Sequence, residues 1–276
     1  MKLVSEVTKS ATSKMMRFSH KRAHQVICQC IDHTSLAPID TPKSIKAFIE
    51  KMQNLDIQPA TVCIYPSLIE TAALTLGESS VGISAVCGAF PSGQTYLEIK
   101  LHEIAMAIEN GADEIDLVIN IGAIMDEEYD IAQSEIEAIV TEIDGDAILK
   151  IILETGLLQD PKLIYNASMA AMRAGADFIK TSTGRFHIGA SHEAVAAICL
   201  AIADYHKESG RKVGVKIAGG VKDFEDALPY YAIVLYVLGE EWLCPALLRF
   251  GSSSLAHTID GLEPIAIPEL DTYTVQ

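Results

Sequence analysis

Short apolar runs alternate along this chain with longer stretches in which apolar positions recur every three or four residues. The short runs, bounded by turn formers, read as buried parallel strands, and the longer pattern reads as amphipathic helices. Strand-like runs fall at 26–32, 60–65, 82–88, 114–119, 147–153, 177–181, 213–217 and 247–250. Helical periodicity occupies 96–110, 127–143, 162–174, 192–209 and 223–238. Asn110-Gly111 and Ala174-Gly175 carry helix-stop signals, and Thr41-Pro42 and Asp160-Pro161 carry helix-start signals. A helix–Gly-Ala-Asp–strand passage occurs twice, at Gly111-Ala112-Asp113 and at Gly175-Ala176-Asp177. Eight β/α alternations in one domain-sized chain predict an α/β fold, a single (β/α)8 TIM barrel. The competing doubly wound sheet uses fewer strands and often a glycine-rich first turn, and no G-x-G-x-x-G or Walker motif is present.

Composition narrows the function. A formal net charge of -16 disfavours a nucleic-acid partner, because phosphate backbones need a basic face. Any anionic ligand must then be held by local features. Six cysteines are scattered through apolar stretches without a Cys-x-x-Cys pair, and no His-Glu-x-x-His occurs. They read as reduced thiols of a cytoplasmic protein, and no metal site is expected. The first 25 residues carry six basic side chains and one acid without an apolar core, which predicts a basic helical arm and no secretory signal. The longest strongly apolar stretch, 230–238, falls far short of the roughly 20 residues of a membrane span. The barrel is expected over 26–259, followed by a tail at 260–276.

Active groups of such barrels stand at the C-terminal ends of the strands. Reading those ends yields Asp32, Cys63, Asp116 with Asn120, Glu154-Thr155, Lys180, Lys216 and Gly251-Ser252-Ser253-Ser254. Acids and lysines dominate, which suits carbonyl chemistry better than hydrolysis. Lys180 and Lys216 occupy equivalent places on neighbouring strands. Two ammonium groups sharing one pocket repel, and burial adds to the pressure for one to lose its proton. A neutral lysine attacks carbonyls. The pattern leaves open which lysine does so. Asp116 is an ion-pair partner for one of them or a proton carrier. Asp113 and Glu114, at a strand start, are expected to be structural. His33, beside Asp32, has the best claim to a site role among the histidines. The glycines Gly219-Gly220 and the loop Gly251–Ser254 follow the seventh and eighth strands, where barrels often bind phosphate.

Gly175-Ala176-Asp177-Phe178-Ile179-Lys180-Thr181-Ser182-Thr183-Gly184 resembles the signature of the deoxyribose-phosphate aldolase family. Further similarity follows in order: Ile31-Asp32-His33-Thr34, Val62-Cys63-Ile64-Tyr65-Pro66, Phe90-Pro91-Ser92-Gly93, Gly111 to Asp116, Lys150-Ile151-Ile152-Leu153-Glu154-Thr155 and Arg249 to Ser254. The resemblance runs from about Ile31 to Ser254. It implies a Schiff-base lysine at Lys180, a perturbing lysine at Lys216 and a proton-transfer acid at Asp116. It implies substrate contacts at Asp32, Thr34, Cys63, Thr183, Gly184, Gly219, Gly220, Gly251, Ser253 and Ser254. It also implies a phosphorylated sugar as substrate, no cofactor, and a homodimer. A different Schiff-base aldolase and a non-catalytic phosphosugar-binding protein are the alternatives. The chain departs from the pattern at Ile217-Ala218, at Arg185-Phe186 after Gly184, and at Tyr273, which is fourth from the end.

Overall fold

Every second side chain of the strands is apolar and buried against the helices. Val62 and Ile64, Ile115 and Leu117, Leu149 and Ile151, Val215 and Ile217, and Leu248 and Phe250 all belong to one hydrophobic cluster. The alternate positions carry Asp32, Glu114, Asp116, Lys150, Lys180, Lys216 and Arg249, which are buried too. With a side-chain period of two, the second set occupies the other face of the sheet. Closing the sheet on itself gives that face a shared interior.

The structure is a computed structural model that describes residues 2–14 and 20–261. Helices α1 (Lys2–Lys14) and α2 (His20–Gln29) precede β1 (Ile31–Thr34). There follow α3 (Pro42–Gln53), β2 (Thr61–Ile64), α4 (Ile69–Leu76), β3 (Gly82–Cys87), α5 (Leu97–Glu109) and β4 (Glu114–Val118). Helices α6 (Ile121–Met125) and α7 (Tyr129–Ile143) lead to β5 (Ile148–Ile152), then α8 (Thr155–Leu158) and α9 (Pro161–Arg173) to β6 (Phe178–Lys180). The order ends with α10 (His192–Ser209), β7 (Gly214–Ala218), α11 (Phe224–Leu238), β8 (Leu248–Ser252) and α12 (Leu255–Ile259). The strands pair in sequence order, and β1 closes in parallel onto β8. This is a (β/α)8 TIM barrel. Its register sets Asp116 beside Lys150, Ile152 beside Lys180, Lys180 beside Lys216, and Lys216 beside Arg249.

Seven of the expected strands lie within two residues of their observed ends, and both proline-marked helix starts are real. Thr41 closes a capping box before Pro42, and the Asp160 side chain accepts the Lys162 amide. The first strand is the exception. Residues 26–29 finish α2, whose Ala23, Val26 and Ile27 are buried at helical spacing. No glycine or proline separates this helix from β1, so their apolar residues merge into one run in the sequence. Cys28 is therefore helical. The expected arm boundary at residue 25 also falls inside α2. Helix α1 packs on α10 and α11 through buried Val4, Val7 and Ala11. Tyr273 and all but the first two residues of the expected tail lie outside the described residues. Among the described residues no helix is long and apolar enough to cross a membrane.

Gly214 shows how tightly the interior is filled. A Cβ there would stand 2.3 Å from Cε1 of Phe178. The Phe178 ring in turn lies 5.7 Å from the Arg249 guanidinium. Gly214→Ala should therefore lower unfolding stability by about 1–3 kcal/mol, the usual range for overpacking. Urea denaturation measures this, and unchanged stability would mean that the ring has room to move aside.

Candidate active site

Six strands direct charged side chains into the barrel, and Asp116 is the shared partner of the three lysines. Its Oδ2 accepts from Lys180 Nζ at 2.6 Å and from Lys216 Nζ at 2.7 Å. Its Oδ1 accepts from Lys150 Nζ at 2.9 Å and from the Ser84 hydroxyl at 3.0 Å. Lys216 also pairs with Asp32 Oδ2 at 2.5 Å, and Asp32 Oδ1 takes Arg249 at 2.6 Å. Arg249 grips Glu114 with both terminal nitrogens, at 2.7 and 3.0 Å. Glu114 closes the circuit on Lys150 at 2.5 Å. The Cys63 thiol lies 3.9 Å from both Asp116 Oδ2 and Lys216 Nζ, and burial raises it so that it stays protonated.

Three carboxylates (Asp32, Glu114, Asp116) thus face four bases (Lys150, Lys180, Lys216, Arg249) in a space closed to water. An unbalanced charge in such a place costs several kcal/mol. The network is neutral when one base is uncharged, and the local environments select Lys180. Burial lowers Lys180 below the ordinary lysine value; Asp116 opposes that, while the neighbouring Lys216 charge adds to it. Burial acts on Lys216 as well, but Asp116 and Asp32 outweigh it and hold Lys216 above the ordinary value. Lys150 is raised likewise, chiefly by Asp116 once burial is overcome. Asp116 is itself held well below the carboxylate range, since Lys150, Lys180 and Lys216 together outweigh its burial. The resulting arrangement is one lysine shifted toward the neutral amine beside a locked ion-pair network.

A cavity of about 370 Å³ opens above this network, at the C-terminal ends of the strands. Of the seven network residues, Lys180 alone lines it. Thr34, Thr183, Gly184, Gly219, Gly220, Gly251, Ser253 and Ser254 line its walls, and Arg185 and Lys222 add positive charge. Asp32, Cys63, Asp116 and Lys216 are not among its lining residues, so of the expected substrate contacts Asp32 and Cys63 lie beneath the floor. Thr183 donates to Glu154 Oε2 from its amide, at 3.0 Å, and from its hydroxyl. The loop after β6 rests on the turn after β7: Ala190 N donates to Gly219 O at 3.0 Å, and a Cβ on Gly189 would come within 2.3 Å of that oxygen. Gly219 has φ 89 and Gly220 φ 92, conformations that favour glycine. Ser252 Oγ accepts the amides of Ser254 and Leu255, which shapes the last turn. Glycine-rich turns beside two cations suit an anion such as phosphate. Ile217 faces the helices, so of the departing pair only Ala218 meets the cavity.

The reading of strand ends missed Lys150 and Arg249 as members of the site and took Glu114 for a structural residue. A signal existed for two of them: Lys150 and Arg249 each interrupt an apolar run, as in Ile148-Leu149-Lys150-Ile151-Ile152 and Leu247-Leu248-Arg249-Phe250. His33 is a correction. Its neighbour Asp32 points inward, so His33 points out, stacked on Phe48 at 4.2 Å and edge-on to His257. Burial, with His257 and Lys51 nearby, lowers its pKa to about 3. Unfolded chains take up this proton near pH 6.5, so His33 contributes nothing to the pH dependence above that value and opposes folding below it. Between pH 6 and 4, His33→Phe should remove a slope of up to about 1.4 kcal/mol per pH unit from the stability profile. Thermal or urea unfolding across that range checks it, and parallel wild-type and variant profiles would refute it.

Comparison with known proteins follows the same lines. A Homo sapiens protein named deoxyribose-phosphate aldolase is 37% identical over 246 residues, covering 83% of this chain and 77% of its own length. A Mus musculus protein of the same name is 39% identical over 221 residues, covering 78% and 69%. The deoxyribose phosphate aldolase of Aeropyrum pernix, whose structure is described as a unique tetramer, superposes with a TM-score of 0.67 at 26% identity, covering 86% of this chain and 90% of that one. Residues 26–232 match the family described as DeoC/LacD family aldolase. The chain belongs to the DeoC/LacD family of aldolases.

Proposed function

We propose that the protein cleaves 2-deoxy-D-ribose 5-phosphate reversibly to D-glyceraldehyde 3-phosphate and acetaldehyde, through a Schiff base on Lys180. One observation carries this reading: Lys180 is the single base of the network that both meets the cavity and is lowered toward the neutral amine. The human and mouse relatives bear the name of this activity. Neutral Lys180 adds to the C1 aldehyde, and loss of water gives a protonated imine. The C3 hydroxyl then gives up its proton, the C2–C3 bond breaks, and its electron pair moves into the imine to form an enamine. Glyceraldehyde 3-phosphate leaves. Protonation of the enamine at C2 and hydrolysis release acetaldehyde and restore the amine.

In this reading Asp116 Oδ2, through a water and together with Lys216, relays the C3 hydroxyl proton. Thr183, Gly184, Gly219, Gly220, Gly251, Ser253 and Ser254 hold the phosphate, and Arg185 and Lys222 supply the charge that a strongly acidic protein otherwise lacks. We read the setting as breakdown of deoxyribonucleotide-derived sugar phosphates in the cytoplasm. The assembly is read as a homodimer, although the Aeropyrum pernix relative is described as tetrameric.

Incubation with acetaldehyde and borohydride should leave a reduced two-carbon adduct on Lys180, found by peptide mass. Label on another lysine, or none, would sink the assignment. Lys216→Ala removes an ammonium that helps to keep Lys180 neutral, so Lys180 should hold its proton to higher pH. The acid limb of kcat/KM should then move upward by about one pH unit, a tenfold loss below the limb. An unmoved limb would take Lys216 out of the mechanism.

A further inference from the structure

The mechanism above gives Lys150 nothing to do, yet Lys150 pairs with three acids inside the barrel: Glu114 at 2.5 Å, Asp116 at 2.9 Å and Asp32 at 3.8 Å. We propose that Lys150, held by Glu114, is the positioning residue that sets the charge state of the reacting lysine, acting on Lys180 through Asp116. The inference rests on the Schiff-base reading of Lys180.

Geometry carries it. Asp116 is a two-sided carboxylate with a different set of partners on each oxygen. On the Oδ1 side, Lys150 Nζ donates to Oδ1 and to the Ser84 hydroxyl at 3.0 Å, and that hydroxyl donates to Oδ1. This closed triangle stops the carboxylate from turning, so Oδ2 is presented to Lys180 and Lys216. Lys150 sits deeper than Lys180, because the register pairs Lys180 with Ile152. It does not line the cavity and is fully buried. It therefore does not meet substrate itself, and Asp116 is its direct link to Lys180.

The charge count supplies the sign. Toward Lys180 face Asp116 from β4, Lys216 from β7, Cys63 from β2 and Glu154 from the end of β5, the last bonded to Thr183. Toward Lys150 face Asp32 from β1, Ser84 from β3, Glu114 and Asp116 from β4 and Lys216 from β7, with Arg249 of β8 sharing two of those acids. Glu154 is bonded to Thr183 and stands outside the ion-paired network, within which three carboxylates balance Lys150, Lys216 and Arg249 when Lys180 is neutral. Deleting the Lys150 charge leaves an excess acid, which favours the protonated form of Lys180. Deleting the Glu114 charge does the reverse and pushes Lys180 further toward the amine. Lys150 and Glu114 thus act as opposing weights on one equilibrium.

The test is the pH dependence of kcat/KM for deoxyribose 5-phosphate cleavage in Lys150→Met, Glu114→Gln and the double variant. In Lys150→Met the acid limb should move up by about one unit, a tenfold loss per unit below it. In Glu114→Gln it should move down. In the double variant, where the charges cancel again, it should return to within about 0.3 unit of wild type, a coupling that independent effects would not produce. Unmoved limbs in folded single variants, or shifts of the same sign in both, would overturn the proposal. Should Lys150→Met fail to fold, Glu114→Gln decides alone: a downward shift supports the proposal, and no shift or an upward one refutes it. Borohydride trapping on the wild type runs in parallel. Absence of an adduct on Lys180 defeats the Schiff-base reading, whereas an adduct on Lys180 with unmoved limbs defeats only this inference.

Discussion

One carboxylate, Asp116, is shared by three lysine nitrogens in a buried interior, and the rest of the site is arranged around that fact. Its two oxygens divide the work. Oδ1 is tied to Lys150 and Ser84, and Oδ2 faces Lys180 and Lys216. Charge attraction at such distances in a poorly solvated interior is strong, but so is the cost of removing each ion from water. The arrangement is tolerable because nearly every member has a partner: Asp32 bridges Lys216 and Arg249, and Glu114 bridges Arg249 and Lys150. With four bases to three carboxylates, one base is in surplus, although Lys180 too bonds to Asp116. Lys180 sits where the network ends and the cavity begins, which is where losing a proton costs least.

The barrel makes this possible by sorting side chains by parity. Outward positions pack aliphatic side chains against the helices, and that layer supplies the stability against which the interior charge is carried. Inward positions are released from the need to be apolar because other charged side chains surround them. The two ends of the interior then differ. Arg249 and Phe178 fill the lower part, with Gly214 leaving room for the ring, whereas the upper part opens into the cavity. The acid-to-base imbalance therefore meets solvent and substrate at one end only.

Local chemistry and overall charge oppose each other at the cavity mouth. The chain carries a net charge of -16, yet the walls after β6, β7 and β8 are glycines, hydroxyls and two cations. Backbone dipoles act over a few ångströms, and screening removes the distant acids from the balance. The contact of Gly189 with the Gly219 carbonyl holds two of these loops together, so the mouth is shaped by backbone packing more than by side-chain reach.

Much of this was legible in the chain. Apolar periodicity located seven of the eight strands, and capping signals placed the starts of α3 and α9, because both depend on neighbours within a few residues. Lysines closing apolar runs pointed to Lys180 and Lys216. Where sequence punctuation was missing, between α2 and β1, the reading merged two elements. Adjacency to Asp32 alone gave His33 its claim to a site role, although in a strand adjacent residues face opposite ways. Lys150, Glu114 and Arg249 appeared as isolated charges in separate strands. Their meaning arises only when barrel closure brings β1, β4, β5, β7 and β8 around one axis, since ion pairing depends on distance in space and not on separation along the chain. The sequence by itself determined the strand order, the parity of each strand and the two candidate lysines. Tertiary structure decided which lysine meets the cavity, and it gathered around that lysine charges that no local pattern can sum.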